Sequence, residues 1–347
     1  MMPTSTRRIL CFVFLSGLTT LPLLCQASSA TAEDAKYQRA FDDAVDKGLA
    51  YLAHEQAPDG SIGGKPAAIT SLAIMAFLAR GYGPGLPPYG DEINRGIDYV
   101  LSLPSPRGDL MGAGGQMYSH NIASLMLSEV SGMVDPERQT RIDSVLPQAL
   151  RLILAAQDVP KAEAQAGGWR YEPNGNDSDI SHSGWALMAL RAARNNGAPV
   201  PQESIEKAVK FILRCRTQDG GFSYQPGGGS GVARTGIGLL CLELAGRHRD
   251  DVTLKAGHYL ADRLKKGNAF EGEHKYYGLY YAANGMFQLG GQEWESFAPT
   301  LYDMILKMQS ADGSWPTSGN ESNPQYCTSM AILALSVSYC QLPIYQR

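Results

Sequence analysis

The amino-acid sequence predicts an all-α protein whose helices form a six-plus-six toroid, an α/α barrel with one ring of helices inside another. Six nearly all-apolar stretches recur at intervals of 44 to 62 residues, and each follows a stretch with one charged face. Helices that are apolar all round are buried on every side. Neither terminal repeat is polar enough to cap an open solenoid, so we expect the repeats to close into a ring.

The N-terminal segment has the pattern of a secretory signal peptide. Arg7 and Arg8 precede a short apolar run over 9–15 that continues weakly to Leu24, and small residues occupy 27–32. The run is shorter than the roughly 20 residues that a spanning helix needs, although an N-terminal anchor stays open as the alternative. We predict that residues 1–32 are removed, with cleavage within 27–32. The protein would be exported, periplasmic or extracellular, and would not span the membrane after cleavage.

Composition and charge indicate a globular protein without a nucleic-acid partner. The chain is 44 % hydrophobic, and without residues 1–32 it keeps 28 Lys and Arg against 34 Asp and Glu. This balance offers no basic surface for a phosphate backbone. Cys327 and Cys340 fall thirteen residues apart in one predicted helix, 326–340, too far for a disulfide. We predict that Cys327 and Cys340 are free. Cys215 and Cys241 are also predicted to be free, although a disulfide between them is not excluded.

The apolar stretches align with one another as the inner helices of the ring. One aligned column contains Phe77, Ser128, Leu190, Leu242, Met286 and Leu335. Four residues later, in the position of helix C-terminal glycines, stand Gly81, Gly132, Gly246 and Gly290. Seven residues before the column, small and hydroxyl side chains dominate, at Thr70, Asn121, Ser183, Thr235, Leu279 and Thr328. Amphipathic stretches such as 36–54, 202–216 and 296–309 would form the outer ring, so residues 33–347 are one domain of six helical hairpins.

A glutamine–glycine pattern lies between the outer and inner helices of several repeats. It occurs over 56–62, 165–169, 218–222 and 309–315. The aromatic residue that ends it, at Trp169, Phe222 or Trp315, would pack near the start of the next helix. We interpret the glutamines as hydrogen-bonding ties between neighbouring repeats rather than as catalytic groups; they are Gln56, Gln157, Gln218 and Gln309.

This pattern resembles the repeat of squalene–hopene cyclases and of the β subunits of protein prenyltransferases. Residues 309–315 match their Gln-x-x-Asp-Gly-x-Trp motif, and the resemblance covers essentially all of the chain after the signal segment. The chain looks like a small exported bacterial member of this terpenoid cyclase/prenyltransferase superfamily. The resemblance implies a six-plus-six toroid and an isoprenoid-like apolar ligand in its central cavity.

The catalytic motifs of that superfamily are only partly matched. Its cyclases protonate the isoprenoid with an aspartate of an Asp-x-Asp-Asp-Thr-Ala motif, whereas here the aligned segment keeps the first acid, Asp179, and has Ser181 at the central position. Its prenyltransferases hold zinc with an Asp-x-Cys pair and a histidine; His182 resembles that histidine, but the pair is not found. If the protein is catalytic, Asp179 and His182 are the acid/base candidates.

A set of functional side chains is expected at one mouth of the ring. The position before the hydroxyl column reads Ile69, His120, His182, Arg234, Gly278 and Cys327. Nitrogen and thiolate donors there could hold zinc, and Arg234 beside helix N-termini could hold a diphosphate or carboxylate. The alternative is that each side chain caps its own helix, and we assign no metal ligands.

The fifth inner helix contains four tyrosines, which is unusual for a core helix. An aromatic-lined cavity suits an isoprenoid and could stabilise a carbocation, although tyrosines can also pack a core with the hydroxyl at the rim. Besides the acid/base pair, the predicted ligand-binding residues are His120, Trp185, Arg234, Tyr276, Tyr277, Tyr280 and Tyr326.

The sequence leaves three functions open. The first is an exported protein that binds, and could convert, an isoprenoid-like apolar molecule. The second is a non-catalytic module on the same toroid that binds a protein or another envelope component. The third is a polysaccharide lyase or hydrolase, which needs paired carboxylates; Asp177 and Asp179 are the one acidic cluster near an inner-helix start.

Overall fold

The computed structural model describes residues 32–267, 269 and 274–346. The predicted signal segment therefore lies almost entirely outside the described residues. Within them, twelve α-helices account for most of the chain: α1 (Ala32–His54), α2 (Ala67–Ala79), α3 (Gly90–Leu101), α4 (Met117–Val130), α5 (Pro136–Gln157), α6 (Ile180–Asn195), α7 (Gln202–Arg214), α8 (Val232–Leu244), α9 (Asp251–Lys265), α10 (Lys275–Leu289), α11 (Gly291–Lys307) and α12 (Pro324–Leu335). A two-residue hairpin, β1 (Phe222–Ser223) and β2 (Ser230–Gly231), pairs Phe222 with Gly231.

Even-numbered and odd-numbered helices differ in burial, as the sequence predicts. Helix α2 buries 12 of its 13 residues, whereas α7, also of 13 residues, buries five along one face. Each even-numbered helix packs against the next, and α12 packs against α2, which closes the inner ring. The odd-numbered helices lie outside, and α11 contacts α1. The predicted all-α six-plus-six toroid is confirmed.

None of the helices in the described part of the chain combines the length and the apolar character that crossing a bilayer requires.

The ends of the helices agree with the glycine column and correct one predicted boundary. Gly81, Gly132 and Gly246 adopt φ values of 94°, 85° and 85° just after their helices, a conformation that L side chains rarely adopt. The last helix, predicted over 326–340, ends at Leu335 and is followed by a short 3₁₀ turn over 336–339. Cys340 is therefore not in the same α-helix as Cys327. None of the four described cysteines forms a disulfide, in agreement with the prediction.

Glutamines connect neighbouring repeats through two backbone carbonyls each. The Gln157 amide donates to Gly167 O in its own turn and to Ser204 O on the next outer helix, both at 2.9 Å. Gln56 does the same with Gly60 O and Glu92 O, and Gln309 with Gly313 O and Ala44 O. The tie that Gln309 makes to α1 joins the last repeat to the first.

Gln218 and Gln165 do not take this position. Gln56 lies four residues before its turn glycine, but Gln218 lies two residues before Gly220 and lines a surface pocket beside α9. In the third repeat a longer loop separates Gln157 from its turn, so Gln165 instead accepts the Ser178 N–H through its side-chain oxygen. The prediction of a tie is confirmed for Gln56, Gln157 and Gln309.

In four repeats, a hydroxyl of the column fixes the turn to its inner helix. The residue that ends each motif donates its backbone N–H to the column hydroxyl at 2.9–3.0 Å; the pairs are Ile62–Thr70, Trp169–Ser183, Phe222–Thr235 and Trp315–Thr328. The Trp169 and Trp315 indoles donate to Ile153 O and Ile305 O of the preceding outer helix. Each tryptophan therefore joins an outer helix, a turn and an inner helix.

Aromatic side chains and the C-terminal segment fill the centre of the inner ring. Trp185 stacks on Tyr280, with ring centroids 5.5 Å apart, and lies edge-on to Tyr281. The Tyr280 hydroxyl hydrogen-bonds to the hydroxyl of Tyr345, near the end of the chain. The backbone of this segment is held at the C-terminal ends of the inner helices, where Ile344 N donates to Glu129. Open space therefore remains at the opposite mouth.

Candidate functional site

A cavity of about 600 Å³ lies at the mouth formed by the N-termini of the inner helices. Its walls contain five tyrosines, Tyr118, Tyr171, Tyr224, Tyr277 and Tyr326, and four charged or titratable groups, His182, Arg234, His274 and Glu321. Trp185 lies beneath it, edge-on to Tyr118 at 5.9 Å between ring centroids. The tyrosines come from several repeats, and polar side chains such as Ser181, Asn320 and Asn323 line the rest of the cavity together with Ile69 and Ala233.

Asp179 and His182 form a carboxylate–histidine pair at the start of α6. Asp179 caps the helix and accepts the His182 backbone N–H at 2.9 Å. The three-residue spacing brings the side chains together as well, and His182 Nδ1 lies 2.8 Å from Asp179 Oδ2. The spacing of three residues between Asp179 and His182 therefore produces both the helix cap and the side-chain pair.

Arg170 keeps the Asp179 carboxyl ionised. Burial of this fully enclosed carboxyl would raise its pKa, but hydrogen bonds from His182 and Arg170 hold the pKa below its usual value. The Arg170 guanidinium lies 2.9 Å from Asp179 Oδ2 and also donates to the Tyr224 hydroxyl. It stacks over the Tyr171 ring at 4.6 Å. Asp179 is therefore an acceptor at neutral pH, and His182 Nδ1 carries the proton between them.

His182 lines the cavity, and its other ring nitrogen, Nε2, is buried. The side chain is 3 % exposed, and among the described residues Nε2 has no hydrogen-bond partner. The Tyr171 and Tyr118 rings lie edge-on to the imidazole at 4.3 and 5.9 Å between centroids. With the proton on Nδ1, Nε2 offers a lone pair that can accept a hydrogen bond or a proton.

The carboxyl group of Glu321 is engaged in hydrogen bonds to the backbone. Its two oxygens accept the backbone N–H groups of Tyr276 and Tyr277, each at 2.9 Å, at the start of α10. Burial raises the pKa of Glu321 despite these hydrogen bonds. Asp179 is likewise bound to Arg170 and His182. The two buried carboxyls therefore do not form the free pair that sugar hydrolysis needs.

The structure brings some of the predicted residues together and leaves others apart. His182, Arg234, Tyr277 and Tyr326 line the cavity, and Trp185 and Tyr280 stack below it. The Tyr276 hydroxyl instead donates to Pro316 O, away from the cavity.

The imidazole of His120 interacts with backbone groups and not with the cavity. Its Nδ1 accepts the Leu110 N–H at 3.0 Å and its Nε2 lies 3.1 Å from Ala149 O, so both nitrogens are satisfied by backbone groups. Burial lowers the pKa of His120 to about 4, which keeps it neutral. It connects α4 to a loop and to α5, and the structure does not bring it to the cavity.

The mouth does not fit the predicted option of zinc. No group of three or more His, Cys, Asp or Glu side chains in the described ranges is placed to hold a metal ion. Cys327 donates to Glu321 O, and burial raises the pKa of its thiol to about 12. A cysteine binds zinc as the thiolate, and burial keeps this thiol protonated.

Sequence reasoning missed Arg170 and the tyrosines that follow two of the turn motifs. Tyr171 and Tyr224 each stand two residues after the aromatic that ends a motif, Trp169 or Phe222. Their hydroxyls lie 2.8 Å apart. Extending the repeat alignment by two residues would have identified both.

Comparisons with known proteins agree with the toroid fold. Residues 199–276 match the family model of the prenyltransferase alpha-alpha toroid domain. No curated protein matches the sequence.

Solved structures share the fold at low identity. A variant of the type II terpene cyclase MstE from Scytonema, in complex with geranylgeranyl dihydroxybenzoate, is 14 % identical with a TM-score of 0.56, and the match covers 89 % of this chain and 99 % of that one. A protein from Actinoplanes is 14 % identical with a TM-score of 0.57, over 86 % and 99 %. An α-1,6-mannanase variant from Salegentibacter, in complex with α-1,6-mannotetrose, is 9 % identical with a TM-score of 0.64, over 86 % and 99 %.

The fold is thus shared by terpene cyclases and glycosidases, and fold alone does not select between their activities. Residues 199–276 match a prenyltransferase alpha-alpha toroid domain, and the chain shares its toroid fold with type II terpene cyclases, as the resemblance seen in the sequence implies.

Proposed function

We propose that the mouth cavity binds an isoprenoid-like apolar molecule. The observation that carries this proposal is a cavity of about 600 Å³ whose lining includes five tyrosine side chains, one of which, Tyr118, packs edge-on against Trp185. Such a surface offers apolar area and ring faces to a branched hydrocarbon chain. The binding of geranylgeranyl dihydroxybenzoate by a cyclase of the same fold supports it.

The site favours binding over cyclisation by alkene protonation. An acid catalyst must hold a proton to give, but Arg170 and His182 keep Asp179 ionised. Ser181 stands where the cyclases have their central acid, and a serine hydroxyl cannot protonate an alkene. If the protein converts its ligand, the available group is His182 Nε2, which accepts protons.

Titration with geranylgeraniol tests the proposal. We expect saturable binding to the full chain by calorimetry, and roughly tenfold weaker binding to Tyr326→Ala, which removes one wall of the cavity. Tyr82→Ala is the matched control, because Tyr82 also packs against another tyrosine, at the far end of the ring. An affinity for geranylgeraniol that both variants share with the wild type would contradict the proposal.

The same titration separates the alternative functions. The polysaccharide lyase or hydrolase interpretation predicts binding of α-1,6-mannotetraose instead of geranylgeraniol. The protein- or envelope-binding module predicts that neither compound binds. Because the carboxyls at the mouth have structural partners, we expect no hydrolysis of the sugar.

We also propose that the protein works outside the cytoplasm, after removal of the predicted signal segment. The basic, apolar and small-residue order of 1–32 supports this. Intact-mass measurement of protein expressed in a bacterial host and recovered from the periplasm should give a chain that begins within 28–33. Recovery of the chain with residues 1–27 still attached, in the membrane fraction, would instead support the N-terminal anchor.

A further inference from the structure

We infer that the ligand of the mouth cavity carries a neutral hydroxyl group and donates its hydrogen to His182 Nε2. This inference rests on the proposed function and adds the chemistry of the ligand's polar end. It starts from a buried acceptor that the described part of the protein leaves unsatisfied.

The first step is the tautomer of His182. Asp179 accepts two hydrogen bonds from His182, one from its backbone N–H and one at Nδ1, and a third from Arg170. A carboxylate with these partners leaves the imidazole proton on Nδ1. Arg170 acts as a positioning residue, because it holds Asp179 ionised without lining the cavity itself.

The second step is the environment of Nε2. His182 is 3 % exposed, and two tyrosine rings lie edge-on to its imidazole. A buried acceptor without a donor is unfavourable, and a ligand that supplies the donor removes this cost on binding. The unpartnered atom thus selects among ligands that fit the same apolar walls.

The third step concerns the charge of the ligand group that can approach His182 Nε2. A carboxylate or diphosphate oxygen has no hydrogen to offer a lone pair, whereas a hydroxyl does. This favours an alcohol or phenol over the anionic head group that Arg234 suggests in the sequence.

Nitrogen NMR of the intact protein tests the tautomer without any ligand. In a sample with ¹⁵N-labelled histidine at pH 7.5, we expect His182 to show a protonated Nδ1 and a bare Nε2. His120 provides an internal reference, because its Nδ1 accepts the Leu110 N–H and the opposite tautomer is fixed. The chain has six histidines, so loss of one pair of signals in His182→Phe assigns them. A protonated Nε2 at His182 would overturn the inference.

A matched pair of ligands tests the hydroxyl. Geranylgeraniol and its methyl ether share the apolar chain, but the ether has no hydrogen to donate. We expect the wild-type protein to bind the alcohol about tenfold more tightly than the ether, and His182→Phe to bind the two alike. His258→Phe is the control, since His258 is exposed on α9, and it should keep the wild-type preference.

The outcomes separate the inference from the proposed function. Equal affinity of the wild type for the alcohol and the ether would contradict the inferred ligand hydroxyl, but would agree with the proposal that the cavity binds an apolar molecule. Binding of neither compound would overturn both. The ligand comparison uses the wild type, so it stays decisive even if His182→Phe fails to fold.

Discussion

Replacing Trp315 with alanine is expected to lower the free energy of unfolding by about 3–5 kcal/mol, the usual cost of removing a large buried aromatic. Trp315 is fully buried. It donates its indole N–H to α11 and its backbone N–H to α12. Urea denaturation followed by circular dichroism measures the loss.

The same substitution at Trp169 shows whether the ring is closed. Trp169 makes the equivalent contacts within the third repeat, where the neighbouring Gln157 ties it to α7. Gln309 ties the last repeat to α1 in the same way. A closed ring therefore predicts similar losses for Trp315→Ala and Trp169→Ala.

An open arrangement would give a different result. With a free end, the last repeat would lose its contacts with α1, and Trp315→Ala would cost much less than Trp169→Ala. Leu86→Ala is the control for substitution as such, because Leu86 is 63 % exposed, and its expected cost is within about 0.5 kcal/mol. A loss of unfolding free energy that is much smaller for Trp315→Ala than for Trp169→Ala would contradict closure of the ring.

The repeat fold was predictable because every junction has to solve the same packing problem. The turn glycines Gly167 and Gly313 have φ values of 86° and 89°. An added Cβ would also lie 2.4 Å from Lys207 O and 2.5 Å from Lys47 O, so other residues do not fit there. These constraints recur in the sequence at fixed spacing. The tie assigned to Gln218 was wrong, because this glutamine lies two residues before Gly220, whereas Gln56 and Gln309 lie four residues before their turn glycines.

The candidate site was predictable only where its geometry is local. Asp179 and His182 pair because three residues separate them at the start of one helix. His120 occupies the same aligned position as His182, but the direction of a side chain depends on its neighbours, and a loop and α5 satisfy it instead. Arg170 reaches Asp179 from the preceding turn, a contact that no repeat spacing encodes.

The packing of the C-terminal segment against the inner ring could not be predicted, because this segment occurs once and has no counterpart in the other repeats. Ile344 and Tyr345 reach inner helices more than 50 residues away in sequence. They close the far end of the ring, and this is why the described cavity opens at one mouth.

Glu129 should make the stability of this closed end depend on pH. It lies on α4, is 1 % exposed, and accepts the Ile344 N–H at 3.1 Å. Burial raises its pKa from 4.5 to about 8. The native state therefore keeps the proton to higher pH than the unfolded chain does. The stabilising contribution is complete below about pH 4.5 and is lost as the pH rises through about 8.

Glu129→Gln is expected to remove this dependence, because the amide oxygen still accepts the Ile344 N–H but carries no titrating proton. We expect the variant and the wild type to be similarly stable at pH 5, and the variant to be more stable at pH 9 by about 3–5 kcal/mol. Urea denaturation at pH 5, 7 and 9 measures the difference, with the exposed Glu295→Gln as control. Parallel curves for the wild type and Glu129→Gln would show that Glu129 is ionised in the native protein, and that the tail is held against α4 by a carboxylate rather than by a neutral acid.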